Sequence, residues 1–323
     1  MTRNLFRSLT LIAMVACTAS AGAAGYPDRP IRFIVPTGSG GPSDLCMRTV
    51  AQAMQARLGQ TVIVENVTGA TGNIGLVRVA SAEPDGYTVS VPSAANTANF
   101  ITRPKLSFDV EGKLKPVGKI CVSGLSLVVS PKLGVNTVAD LVRYGRDNPG
   151  KLTFGSIGSG SSQHLMAEMF AAATGLSLVH VPFRGEAPAA AEIASGRVSM
   201  MFMAGAKPFL DGGLVTGVAT TNHETWPPIP DLPPIQGTLP ELAGFSFNGW
   251  NGLMVPQGTP DSVVRKLSDA LQYALKDEKT RRVIATMGNV PGAGTPEDLA
   301  GQLQSDRKMF QAIIDKRKLS FDE

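Results

Sequence analysis

The amino-acid sequence predicts an α/β fold built twice over, with parallel sheets, helices on both faces and two connecting segments between the halves. Three observations carry this expectation. Short apolar runs alternate with glycine-rich loops and helical patterns over residues 31–100, and the same alternation returns over 151–209. A long apolar segment, 117–131, lies between the two sets, and a proline-rich stretch followed by a second apolar segment comes after them. Aromatic residues make up only 6% of the chain against 35 Gly and 23 Pro, the makeup of many tight turns between strands and helices.

The first element is not part of that fold. Arg3 and Arg7 precede an apolar run, 9–16, and a tail of small residues in which Ala19-Ser20-Ala21 and Gly22-Ala23-Ala24 both fit a cleavage site. Residues 1–24 therefore read as a secretory signal peptide, and the run is too short to span a bilayer. Cys17 half resembles a lipid-attachment site, but plain cleavage and release is the expectation. The strands come next, in order. "IRFIVP" leads to "TGSGGPSD" and a helix. "TVIVE" leads to "NVTGATG" and a helix beginning near Asn73, and "YTVSVP" leads to "SAANTANF". In the second set "KLTFGS" leads to "IGSGSS" and "QHLMAEMFAAATG", "LSLVHVPF" to "RGEAP" and "AAAEIASG", and "VSMMFM" to "AGAKPF". The 117–131 segment reads as an outgoing hinge strand. Residues 226–240 and "FSFNGWNGLMVP" read as the return. Thr259-Pro260 and Thr295-Pro296 read as caps of two closing helices, with Pro at the first helical position and acids in the first turn. This gives one domain over 25–127 plus 246–323 and a second over 128–245.

The first loop raises a nucleotide question. Gly38-x-Gly40-x-x-Ser43 is one residue short of the dinucleotide fingerprint, and Glu65 ends the next strand where a ribose-binding acid would sit. The chemistry argues against it. Ser43 replaces the glycine that lets helix and strand pack closely, Asp44 would crowd a pyrophosphate, and no Walker lysine comes after the glycines. An exported chain also meets no maintained pool of nicotinamide cofactor.

Charge excludes other classes. Removing Arg3 and Arg7 leaves 28 basic against 26 acidic residues, scattered along the chain, which is no footprint for nucleic acid or a membrane surface. Cys46 and Cys121 remain after processing. Export permits a disulfide between them, but two small apolar core residues are the expected reading. His164 and Glu168 have a helical spacing that holds metals, yet no second pair accompanies them, so no metal site, cofactor or catalytic residue is expected. No G-x-S-x-G elbow occurs. The alternative kept open is a secreted α/β hydrolase or transferase using a serine of the 155–162 loop, Ser159 foremost.

In sheets of this kind ligands bind beyond the carboxyl ends of the strands. The loops there offer Thr37, Ser39, Gly40, Gly41, Thr71, Gly72, Asn73 and Ser93 in one half and Ser159, Gly160, Ser161 and Ser162 in the other. Hydroxyls and backbone N–H groups at helix starts make an anion site without a fixed cation.

The strings "IRFIVPTGSGGPSD", "VENVTGATGNIG", "PDGYTV", "LTFGSIGSGSSQHLMAEMF", "LVHVPFRGEAPAAAEIASGRVSMMF" and "GLMVPQGTP" resemble, in order and spacing, the Bug family of receptors for tripartite tricarboxylate transporters. The resemblance covers essentially the mature chain. It implies a type II-like, two-domain periplasmic binding protein with crossing hinge strands. Such a protein closes on a small organic carboxylate, with ordered waters bridging one carboxylate to the first two loops, and delivers it to membrane permease subunits. A monomer is expected. By position the site falls on 37–44 with Asp44, on Thr71, Gly72 and Asn73, on Ser93 and Ala94, on 159–162 with His164, and on Met203, Ala204, Gly205 and Ala206. Three departures from the family pattern bear on the ligand. Thr37-Gly38-Ser39 stands where an aromatic and prolines are common, Val67-Thr68 replaces an Arg-Pro, and Met203 replaces an acid. With Met203 in that place the sequence predicts a ligand without a cationic group: a dicarboxylate, a hydroxy acid or an aromatic acid.

Overall fold

The computed structural model describes residues 25–40, 42–69, 72–102, 112–292 and 294–321; the expected signal peptide and Cys17 lie outside them. The first unit opens with β1 (Ile31–Val35), α1 (Pro42–Leu58), β2 (Val62–Asn66), α2 (Asn73–Ala80), β3 (Thr88–Ser90) and α3 (Ala94–Thr102). β1 is buried at four of its five positions and pairs in parallel with both β2 and β3. That is the arrangement expected of a central strand covered on both faces. The stretch "SAANTANF" after β3, which reads as a loop in the sequence, is mostly helix, because α3 starts at Ala94.

β4 (Leu114–Gly124) runs out of this sheet, and after Leu125 the chain continues as β5 (Ser126–Val129) in the second sheet. One apolar stretch therefore serves two sheets, and the change falls at a single residue. The second unit adds α4 (Val138–Asp147), β6 (Thr153–Ser156), α5 (Ser162–Thr174), β7 (Val179–Pro182), α6 (Glu186–Ala194), β8 (Met200–Met203), α7 (Lys207–Asp211) and β9 (Thr216–Thr220). The chain returns through β10 (Asn248–Pro256) and closes with α8 (Asp261–Lys276), α9 (Glu278–Thr286), β11 (Asn289–Pro291) and α10 (Pro296–Arg317).

The sheet orders are β11-β4-β10-β3-β1-β2 and β7-β6-β8-β5-β9. Neither is wholly parallel, which corrects the sequence expectation. β10 is antiparallel to β3 and β4, β11 is antiparallel to β4, and β5 is antiparallel to β8 and β9. The reason is topological. A strand leaving for the other unit and a strand coming back, laid side by side, must run in opposite directions.

The helix ends obey local chemistry in part. Thr295 accepts from the Asp298 N–H at 3.1 Å and caps α10 as expected. Thr259 does not cap α8, which starts at Asp261 after Pro260, and the buried Thr259 hydroxyl has no partner. Cys46 and Cys121 are free thiols in the apolar core beneath α1 and α8. A second apolar cluster passes from the second unit through Phe245, Phe247 and Trp250 to Leu299, Leu303 and Phe310 of α10. α10 packs against α3 and β4 on one side and α5 on the other.

Candidate functional site

Where the carboxyl ends of the two sheets face each other, a cavity of about 290 Å³ opens. Thr37 after β1 and Ser93, Ala94 and Ala95 after β3 form its first wall; Ile157, Ser162, Gln163, Glu186, Ala204 and Gly205 form the opposite wall. Ser123, Leu125, Phe247, Gly249, Trp250 and Asn251 of the crossing strands, with Met287 and Asn289, make its floor. Six of the expected site residues line it: Thr37, Ser93, Ala94, Ser162, Ala204 and Gly205.

The first wall is shaped by short-range hydrogen bonds. Asn96 Oδ1 accepts from the Ser93 N–H at 2.9 Å and from its hydroxyl at 3.0 Å, which turns the chain into α3. The first N–H groups of a helix have no acceptor within it, and the first two residues of α3, Ala94 and Ala95, line the cavity. Gly72 has φ 92°, and a Cβ there would come within 3.0 Å of both Asn96 Nδ2 and Pro36 Cβ, so only glycine lets the second loop lie against the first and third. Asn73 is buried, and neither of its side-chain polar atoms has a partner. Unpaired buried amides of this kind are costly, and Asn73 does not line the cavity.

Other expected residues are occupied elsewhere. Asp44 is 2% exposed and accepts from Gly40 N at 2.9 Å, Arg48 Nε at 2.9 Å and Asn66 Nδ2 at 2.9 Å. Burial opposes its ionisation, but the bonds from Arg48, Gly40 and Asn66 outweigh it and hold its carboxyl below the usual range. Asp44 braces the first loop and does not line the cavity. Ser39 and Gly40 are exposed and do not line it either, and Gly41 and Thr71 lie outside the described residues. Glu65, the ribose-acid candidate, pairs with Arg32 at 3.4 Å and Arg78 at 3.0 Å.

In the second unit, Ser161 accepts from the His164 N–H and donates to Gly158 O at 2.7 Å, so it caps α5. Gly160 packs on Thr102 of α3, whose hydroxyl donates to the Gly160 carbonyl at 3.3 Å, and Ser159 stands beside it without lining the cavity. His164 lies behind the wall. Its Nδ1 accepts from Gly160 N at 3.1 Å, and its ring stacks on His180 at 3.9 Å. Burial pushes both imidazoles down to about 4, helped for His180 by His164. The Ser–His pair that does form, Ser156 with His180 at 2.6 Å, does not line the cavity.

Met203 is corrected most sharply. It is fully buried in the apolar cluster of the second unit and does not reach the cleft. Side chains alternate along a strand, and Met203 shares the face of Met201, which packs with Ala189, Ala190 and Ile193 of α6. The acid on this wall is Glu186, which reads as a loop residue in the sequence. It is the first residue of α6, half-buried, and opens on the cavity. It accepts from Ala204 N at 2.7 Å, Gly205 N at 2.8 Å and Gln163 Nε2 at 3.4 Å. Desolvation raises its pKa, and those three donors pull against the rise. Trp250 also escapes the sequence reading, because β10 reads there only as a return strand. Its indole N–H donates to Asp306 of α10 at 2.7 Å, and burial pushes that carboxyl up to about 6.

Two α/β units joined by crossing strands, with a small cleft between the strand ends, define a two-unit solute-receptor fold. Within it the chain belongs to the tripartite tricarboxylate transporter family receptors, whose pattern it matches over residues 46–319. It is 31% identical over 322 residues to a UPF0065 protein of the tcbD–tcbE intergenic region of Pseudomonas sp. strain P51, covering 98% of this chain and 96% of that one. Protein BugT of Bordetella pertussis is 29% identical over 321 residues, covering 96% and 97%. Among solved structures, Rhodopseudomonas palustris Rpa4515 with adipate superposes with a TM-score of 0.81 at 29% identity, covering 91% of this chain and 99% of that one. The periplasmic binding protein BugD does so with 0.77 at 28%, covering 91% and 99%. MatC of R. palustris with bound malate does so with 0.77 at 27%, covering 90% and 100%. No helix among the described residues is long and apolar enough to cross a membrane.

Proposed function

We propose that the protein is an exported, non-catalytic receptor that captures a small organic carboxylate between its two units and hands it to the membrane permease of a tripartite transporter. The observation that carries this reading is the cavity itself. About 290 Å³ suits a small metabolite, and its first wall is a helix start with hydroxyls beside it. In the 155–162 loop, Ser161 is spent on capping, and Ser156 pairs with a histidine that does not line the cleft. The adipate and malate held by related structures fit the same class of ligand. Export rests on the 1–24 segment, and N-terminal sequencing of the periplasmic fraction should start near Gly25. A thermal-shift screen of the mature chain against mono-, di- and tricarboxylates and amino acids tests the binding. A rise of about 5 °C or more with at least one acid at saturation is expected; no shift with any of them rejects the reading.

A further inference from the structure

Among the described residues that line the cavity, Glu186 alone is ionisable, and none is Lys, Arg or His. The cleft of a carboxylate receptor therefore carries an acidic side chain and no basic one to balance it. Among the described residues Glu186 has no cation partner; it is held by the two backbone N–H groups and the Gln163 amide. Those N–H groups, of Ala204 and Gly205, are the donors the second unit would otherwise present to a ligand anion. The anion position of this wall is already filled from within the chain. A dicarboxylate spanning the cleft would bring its second carboxylate against Glu186, where the interior dielectric magnifies like-charge repulsion. A ligand whose far end is a cationic nitrogen meets the opposite situation. It finds a carboxylate held in place by three donors, with the aromatic residues Phe247 and Trp250 lining the same cavity.

We propose that Glu186 is a specificity-determining residue that selects organic acids bearing an ammonium or other cationic nitrogen at the end opposite the carboxylate. This reverses the expectation drawn from Met203, because that side chain is in the core and the acid comes from a different element. Ligand polarity is set by the two walls. The carboxylate lies at the start of α3 with Thr37 and Ser93, and the nitrogen lies between Glu186 and Gln163.

The inference rests on the receptor reading, and matched pairs of equal length separate the two. Calorimetry on the mature chain compares 3-aminopropanoate with succinate, 4-aminobutyrate with glutarate, and 5-aminopentanoate with adipate. The amine-bearing member of the best-bound pair is expected to bind at least about tenfold more tightly. In Glu186→Gln that preference should fall to roughly threefold or less, with the melting temperature of the empty protein checked to show that the variant folds. Tighter binding of the dicarboxylate by the wild-type chain overturns the inference and leaves the receptor reading standing. An amine preference that survives Glu186→Gln in a folded variant overturns the role of this residue. If the carboxylate screen finds no ligand of any kind, the receptor reading fails and this inference falls with it.

Discussion

The two walls of the cleft are built from the same kind of unit, a strand ending in a small-residue loop and a helix start, yet they present opposite electrostatics. In the first unit the nearby acid, Asp44, is turned away from the cavity and spent on Gly40, Arg48 and Asn66, so no acid stands at the α3 start where a ligand would lie. In the second unit the acid, Glu186, is turned in and takes the amides of the 204–205 loop for itself. A helix start is an anion site only when the chain does not supply the anion. The same motif can serve as a binding site or be occupied internally, and one carboxylate decides which.

The comparison can be broken at the first wall. Thr37 is exposed and lines the cavity, so Thr37→Glu puts an acid where the ligand carboxylate belongs. Affinity should fall by at least about a hundredfold, roughly 3 kcal/mol. Stability should change by less than about 0.5 kcal/mol, as at most exposed positions. Calorimetry and a denaturation curve on the same sample check both, and a variant that still binds would place the ligand elsewhere. The bracing acid gives a smaller effect of the other kind. Asp44→Ala leaves the Gly40 N–H and the Arg48 and Asn66 side chains without their acceptor and should cost about 2 kcal/mol of stability. The loss should be concentrated in the first loop, read as faster amide exchange at residues 38–40 with the second unit unchanged.

The smallest expected effect belongs to the second wall and to pH. His164 and His180 stay neutral in the fold down to about pH 4, whereas in the unfolded chain they take up protons below about 6.5. The unfolded state binds more protons across that window. The stability of the pair is therefore complete above about pH 6.5 and is lost as pH falls toward 4. Asp306, with its pKa raised to about 6, acts the other way and stabilises the fold as pH falls below that value. The histidine contribution taken alone should drop by on the order of 1 kcal/mol between about pH 7 and pH 5 after allowance for solvent screening, with Asp306 and Glu186 working against it. Imidazole titrations by NMR check the cause, and midpoints near about 6.5 for both rings would remove it.

Much of this is legible in the sequence for one physical reason: strand, glycine-rich loop and helix start are written locally. The loops after β1, β3, β6 and β8 can be found because Gly, Ser and Thr mark them. What the sequence withholds depends on contacts between distant residues. The antiparallel course of β10 is set by its pairing with β4, far away in the chain. Met203 is placed in the cleft by the family resemblance, and the register of β8 against β5 and β6 turns it into the core. Glu186 sits within "RGEAP", a string that reads as loop. The signal is present, an acid directly after glycine at a helix start, but nothing nearby says that its oxygens reach the 204–205 amides rather than its own helix. Trp250 is placed by Asp306, a partner on the last helix.

The last helix also changes the mechanics of the molecule. Two strands crossing between bodies resemble a pair of parallel straps, which permit folding about one line and also some twist about their own length. α10 adds a third tie away from the straps. It lies on β4 and α3 of one unit and reaches α5 of the other, where Arg317 Nε donates to Glu168 at 2.9 Å. A third tie off the line of the other two resists rotation about that line, so any change in how the two units sit on each other must be taken up in α10 and its contacts with α3, β4 and α5.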